Sequence, residues 1–325
     1  MMAAVPASPG LVGFITINVD PVLNIGPIPI HWYGVMYAVA FLAAYQFGVL
    51  PYAKWRGLPK SVAEKICVWT IIFGLLGGRL YYVVQQPDLW QNYILKPINI
   101  IAFWQGGMAF FGAIMAGFVT LAICAWRYGY NPWIALDGGV IFAVVGQPIG
   151  RIGNVINGDI LGSPSTLPWA TAYSNHNAIL QSGFSLCTPA QCIAYQPAAV
   201  YEALGTIVIG IILWLLFRRN VRPGVLAIAY VALYAVSQLI LFEFRKSEPQ
   251  GPLGLREAQW TSIATLVIGV PLLYVLWRRT HSHLEQRFPG ATAVLETSAV
   301  EEPAEGEQPT DDHESTSGHE PAPAR

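Results

Sequence analysis

Charge is what this chain has least of. Its 325 residues include 18 Lys+Arg and 19 Asp+Glu, so charged side chains make up 11%, against roughly a quarter in a soluble domain. That shortage excludes a water-soluble globular enzyme, a chain disordered throughout, and a basic surface for nucleic acid. Histidine is sparse as well. Within residues 1–280 only His31 and His176 occur, far apart in sequence, and no metal-ligand cluster is visible. No internal repeat is evident, which weighs against an inverted-repeat transporter. Residues 1–29 lack a positive start and a compact apolar run, so no cleavable signal peptide is expected there.

What is present is apolar and unevenly charged. Hydrophobic residues make up 54% of the chain. Residues 1–280 carry 16 basic and 9 acidic groups, net +7, whereas residues 281–325 carry 2 and 10, net −8. The acidic end is rich in Glu, Pro, Ser and Gly. It has too little apolar surface to offset its ordering entropy and reads as a disordered tail. Seven stretches are long enough to be spans of roughly 20 residues: about 30–50, 65–85, 107–126, 133–150, 197–217, 224–243 and 259–277. The fourth is expected to be the shortest. The expected fold is all-α: a polytopic membrane protein with seven transmembrane helices over 30–280, an outer segment 1–29, an outer loop 151–196 and a cytoplasmic tail 281–325.

Orientation follows from the basic residues. The segments after spans one, three, five and seven hold Lys54, Arg56, Lys60, Lys65, Arg127, Arg218, Arg219, Arg222, Arg278 and Arg279. The opposite loops hold Lys96, Arg151, Arg245, Lys246 and Arg256. Ten against five places the N-terminus outside and the tail in the cytoplasm. On that arrangement His31, Trp32, Tyr33, Arg79, Gly107, Arg151, Asn154, Asn157, Asp159, Tyr201, Glu202, Glu243 and Arg245 all fall toward the outer face. Polar groups in or beside spans are costly, so their convergence marks a site. Singly, each has a plainer reading: Arg79 as a snorkelling side chain, the aromatics as an interfacial belt, Glu202 and Glu243 as structural partners of arginines. Asp137 is the exception, near the cytoplasmic end, where a carboxylate favoured by a helix dipole is at least as good an account as a catalytic one.

Residues 150–162 read Gly-Arg-Ile-Gly-Asn-Val-Ile-Asn-Gly-Asp-Ile-Leu-Gly. Glycines allow close approach of backbone to a ligand, a turn of N–H groups cradles an anion, and an arginine presents a planar charged fork to a phosphate. These residues therefore point to a phospholipid headgroup site built on a glycine-rich turn after the fourth span. The plain alternative is such a turn with a snorkelling arginine.

This run strongly resembles the signature of the prolipoprotein diacylglyceryl transferases. Other matching elements follow the family's order: Ile30-His31-Trp32-Tyr33-Gly34, Gly77-Gly78-Arg79, Gly106-Gly107-Met108, Gln196-Pro197 with Tyr201-Glu202, and Glu243-Phe244-Arg245. The resemblance covers about residues 15–277. It implies transfer of the diacylglyceryl group of phosphatidylglycerol to the lipobox cysteine thiol of a prolipoprotein in a bacterial plasma membrane, with glycerol phosphate released and no metal or redox cofactor. It implies that Arg151 binds the phosphate, that Asn154, Gly158, Asp159 and Gly162 shape its site, and that Tyr33, Arg79, Glu202 and Glu243 belong to a polar cavity. The substrate-binding candidates are Arg151, Asn154, Gly158, Gly162, Arg79, Asn157 and Arg245. The catalytic candidates are Glu202, Asp159, Tyr33 and Glu243. The chain also departs from the family pattern. Phe111 and Gln196 stand where histidines are expected, and Gln238 stands where an arginine is expected after Tyr234. The thiol base is therefore open between Glu202, Asp159 and another group, His176 being a weak alternative. A catalytically silent lipid- or lipoprotein-binding relative is the competing reading, and a small transporter, supported only by Asp137, the third.

Four cysteines complete the pattern. Cys67 and Cys124 read as packing residues near the cytoplasmic side. Cys187 and Cys192, in a loop placed outside, are expected to form a small disulfide.

Overall fold

The computed structural model describes residues 13–102, 107–180, 183–245 and 251–287. Gly106 and most of the acidic tail lie outside these residues. All seven apolar stretches fall on helices: α1 Trp32–Trp55, α2 Lys60–Val84, α3 Phe110–Arg127, α4 Pro132–Asn157, α5 Ala198–Arg218, α6 Val225–Leu241, and α7, a continuous run of Glu257–Ala264, Thr265–Gly269 and Val270–Arg287. Five of them (α1, α2, α4, α5 and α7) are long and apolar enough to cross a membrane, and α3 and α6 are shorter apolar helices. Their large apolar side chains face outward: Phe47 is 75% and Leu42 67% exposed. A surface of that kind suits hydrocarbon and not water.

Helix contacts are made by small residues. Gly77 and Gly78 of α2 face Gly112, Ala113 and Ala116 of α3, and a Cβ added to Gly77 would run into that of Ala116. On the other side Gly146 of α4 lies against Ala40 and Ala44 of α1, and Gly153 against Tyr33 and Met36. Backbones approach closely along both seams, as expected where apolar side chains gain nothing by leaving lipid. The Gly77-Gly78 pair is thus a packing device.

The fourth helix corrects the expectation drawn from its sequence. It is not the shortest; it has 26 residues, about 39 Å of rise. Asn131 opens it by accepting from the Trp133 amide at 2.9 Å, with Pro132 in the first turn. The helix passes through Gly150, Arg151, Gly153 and Asn154 and ends only at Gly158, whose φ of +80° gives a left-handed cap. The expected glycine-rich turn at 150–157 is therefore helical.

The all-α expectation also needs correction. Among the described residues four short strands lie at one end of the bundle. β1 (Ile15–Ile17) pairs in parallel with β4 (Thr171–Tyr173), Ile15 opposite Thr171 and Ile17 opposite Tyr173. β2 (Val22–Ile25) and β3 (Ile28–His31) form an antiparallel hairpin leading into α1. Asp20 accepts from the Val22 amide at 2.8 Å, and that bond, with a second from Asn177, holds its carboxyl below the usual carboxylate range. The loop after α4 packs around Leu161, Tyr173 and Tyr195, and Cys187 and Cys192 are joined in it as a disulfide. Cys67 and Cys124 are free and half-buried.

Asp137 belongs to the opposite end. Fully buried on α4, it accepts from the amides of Gly224 and Ala227, each at 2.8 Å, and from the Tyr52 hydroxyl at 3.3 Å. It caps the start of α6 from a neighbouring helix, which accounts for it without a transport role. Asp137→Ala leaves two buried N–H groups without their acceptor. It is expected to lower stability by about 3 kcal/mol, read as thermal unfolding in detergent, with activity per folded molecule unchanged.

Candidate active site

Arg151, Asn154 and Asn157 recur at every third residue near the end of α4 and so form one slanting stripe, which turns by about 120° round the helix from first to last. Its first member, Arg151, faces Glu202 in the first turns of α5, and the two asparagines turn to Asp159. Arg151 forms an ion pair with Glu202 through Nη2 and Oε2, and Arg245, just beyond α6, places Nη1 3.3 Å from Oε1 of the same carboxylate. Glu202 is 2% exposed. A buried charge persists only when paired and hydrogen-bonded, and here one carboxylate sits between two guanidiniums from different parts of the chain.

Polar contacts continue from this pair. Arg151 Nη1 donates to Asn154 Oδ1 at 3.2 Å. Asn154 Nδ2 donates to both oxygens of Asp159, at 3.0 and 3.2 Å, and Asn157 Nδ2 reaches Asp159 Oδ2 at 3.4 Å. The Asp159 carboxylate thus receives neutral amide donors, whereas Glu202 faces guanidiniums. Tyr33, in the first turn of α1, lies where the charges of Arg151 and Asp159 reach it, and its hydroxyl bonds that of Tyr37 at 3.0 Å. Tyr173 of β4 donates to the Val155 carbonyl at 2.7 Å and pins the loop to the end of α4. Burial pushes its phenol above the ordinary range, so it stays protonated as a donor.

The glycines have distinct tasks. Gly158 supplies the positive φ that ends α4. Gly162 donates its amide to the Gln196 carbonyl at 2.8 Å, and a Cβ there would come within 2.6 Å of the Phe244 carbonyl. It lets three strands of backbone meet beside the charged cluster.

Two expected site residues make other contacts. Arg79 is buried and donates to the carbonyls of Asn99, Ile100 and Gly107 at 2.6, 3.0 and 2.9 Å, which folds the segment before α3 back onto α2. Glu243 accepts from Gln259 Nε2 at 2.7 Å, while Gln259 Oε1 accepts from the Arg256 amide. That set secures the start of α7. The departures from the family pattern can also be placed. Phe111 lies on α3 and Gln238 on α6, and the second guanidinium at Glu202 comes from Arg245. His176 is exposed on the loop.

Three residues near the cluster were given no site role by the sequence. Tyr234 lies within electrostatic reach of Glu202, Arg151 and Arg245 and accepts from Gln147 Nε2 at 3.4 Å, and Tyr230 stacks on Tyr234 with ring centroids 5.5 Å apart. Spacing could have found them: Gln147 is one turn before Arg151 on α4, and Tyr230 and Tyr234 are one turn apart on α6. Among the described residues no three of His, Cys, Asp and Glu come together as a metal-binding group.

An apolar groove of about 740 Å³ adjoins the charged cluster. Its walls include Val155, Tyr201 and Phe244, the chain neighbours of Asn154, Glu202 and Arg245. Trp169 crosses from the loop to donate to the Tyr201 hydroxyl at 2.8 Å. Ion pairs beside an apolar channel suit an amphiphile with an anionic head.

Comparison with known proteins agrees with this geometry. Residues 21–275 match the family described as Prolipoprotein diacylglyceryl transferase. A protein of Frankia casuarinae named phosphatidylglycerol–prolipoprotein diacylglyceryl transferase is 33% identical over 244 residues, 74% of this chain and 57% of that one. One of Frankia alni with the same name is 31% identical, covering 79% and 66%. A Brucella anthropi protein, also so named, is 29% identical, covering 80% and 92%. The match thus spans less than two thirds of the Frankia relatives and nearly all of the Brucella one. With a family match over most of its length, and with Arg151, Asn154, Glu202 and Arg245 gathered at one end of an apolar helical bundle, the chain belongs to the prolipoprotein diacylglyceryl transferase family.

Proposed function

We propose that this chain transfers the diacylglyceryl group of phosphatidylglycerol to the lipobox cysteine of a prolipoprotein at the outer face of the bacterial plasma membrane. One observation carries the reading: a buried carboxylate between two guanidiniums, flanked by an apolar groove. The chain crosses the bilayer seven times, N-terminus outside and acidic tail in the cytoplasm. The ten-to-five distribution of Lys and Arg supports this orientation. At 18 and 17 residues, α3 and α6 rise about 27 and 26 Å. Modest local thinning of the bilayer accommodates that length.

The chemistry follows from the placement of charge. The acceptor thiol gives up its proton, sulfur attacks the glyceryl carbon esterified to phosphate, the C–S bond forms and the C–O bond breaks. The bonding pair leaves on glycerol phosphate. Arg151 and Arg245 stand ready to hold the phosphate and the charge that grows on it, in surroundings where fixed donors outperform water. The groove takes the apolar part of the substrate. Both oxygens of Glu202 face guanidiniums, so taking a proton would cost it an ion pair. Asp159 gives up only an amide hydrogen bond, and we assign it the proton. Tyr33, Asn154 and Glu202 position these groups, and Gly158 and Gly162 shape the backbone around them. Arg79 and Glu243 act at a distance, through the segments they hold.

A catalytically silent relative is the second reading, favoured by Phe111, Gln196 and Gln238. Incubation with phosphatidylglycerol and a lipobox peptide separates the two: thioether product supports the transferase, and its absence leaves the silent relative. Arg151→Ala is expected to lower transfer at least about 100-fold while the protein still inserts; near-normal turnover refutes the role of this arginine. Asp159→Asn is expected to lower kcat by about 10²–10⁴, read as thioether formation at saturating phosphatidylglycerol. Thr166→Cys, on the exposed loop beside the groove, is expected to react with an impermeant maleimide in intact cells; protection until lysis would reverse the orientation.

A further inference from the structure

Asn157 is the least explained member of the cluster. It is 6% exposed, and its Nδ2 points at Asp159, so its amide orientation is fixed: a flip would bring Oδ1 against a carboxylate oxygen. Oδ1 is left buried with no hydrogen-bond partner among the described residues. A buried acceptor of this kind costs about as much as a lost hydrogen bond, and such groups are ordinarily satisfied. Arg151, six residues earlier on the same stripe, has its buried Nε–H in the same condition. One end of the stripe therefore offers a donor on a permanent cation, and the other, about 9 Å along the helix axis, offers a neutral acceptor. The ligand that answers both carries an anionic oxygen and, a few bonds away, a hydroxyl.

We infer that Asn157 binds a headgroup hydroxyl of the lipid substrate and thereby selects a phosphodiester bearing a polyol over one whose headgroup has no hydroxyl. The inference rests on the proposed function for the identity of the lipid and deepens it. Arg151 holds the phosphate, and Asn157 Oδ1 accepts from the glycerol O–H beyond it. Asp159, tied to both Asn154 and Asn157, keeps the two amides in register. The role of Asn157 is one of specificity; it touches the departing portion of the lipid and leaves the reacting carbon to others.

The test compares phosphatidylglycerol with phosphatidylpropanol, which keeps the phosphodiester and lacks the hydroxyls. Two measurements are made on the full-length protein: thioether formation on a lipobox peptide, and retention of each lipid by the purified protein, which needs no turnover. Wild type is expected to prefer phosphatidylglycerol by at least about tenfold in both. Asn157→Leu is expected to bring the ratio of phosphatidylglycerol to phosphatidylpropanol close to one in both measurements, the two lipids being compared within the same variant protein. Equal handling of the two lipids by the wild type overturns the inference and requires no variant to fold. So does a preference that survives in Asn157→Leu, or retention of phosphatidylethanolamine as strong as that of phosphatidylglycerol, which would make the group read an ammonium. Preference in retention without any thioether supports the inference and defeats the transferase reading instead.

Discussion

The Glu202 carboxylate between Arg151 and Arg245 is the interaction on which the site depends. It joins the end of α4, the start of α5 and the chain beyond α6, three segments with no other reason to place charge together in an apolar bundle. Removing Glu202 leaves two guanidiniums facing each other without their anion, a large penalty at low dielectric. The pairing also arranges what a phosphate needs. Two guanidiniums are held near one another in advance, so little reorganisation would remain for the anionic head that the proposed reaction brings to them. The same carboxylate that keeps the arginines in place is what the phosphate must compete with.

Around this centre the polar network grades from charged to neutral. Guanidiniums contact Glu202, amides contact Asp159, and tyrosines on α1 and α6 border both. The proposed reaction, which gathers negative charge on phosphate and removes a proton from sulfur, would use both environments side by side. A single stripe of α4 supplies the passage from one to the other, because Arg151, Asn154 and Asn157 stand three residues apart.

Much of this was legible in the sequence, for uneven reasons. The seven apolar stretches could be read from composition alone, and all seven are helical. The convergence of Arg151, Glu202 and Arg245 followed from charge counting and the alternation of spans. The length of α4 did not, because glycine and asparagine at 150–157 look like helix breakers in water. In the bundle those glycines let α1 approach, and the amides find Asp159. The strands were not legible either: three or four residues carry no usable periodicity, and β1 meets its partner some 150 residues later in the chain. For Arg79 and Glu243 the partners were not legible. Sequence gives the end of a span on which a residue falls, whereas packing decides which carbonyl or amide it meets.

The glycine seam between α2 and α3 has a consequence for traffic. Backbones in direct contact leave no gap there for a two-chained molecule to slip between. The flank by α5 is different, since Trp169 and Tyr201 bridge it with one hydrogen bond over an apolar floor. A side sealed by backbone contact and another fastened by a single hydrogen bond give the bundle two unlike flanks.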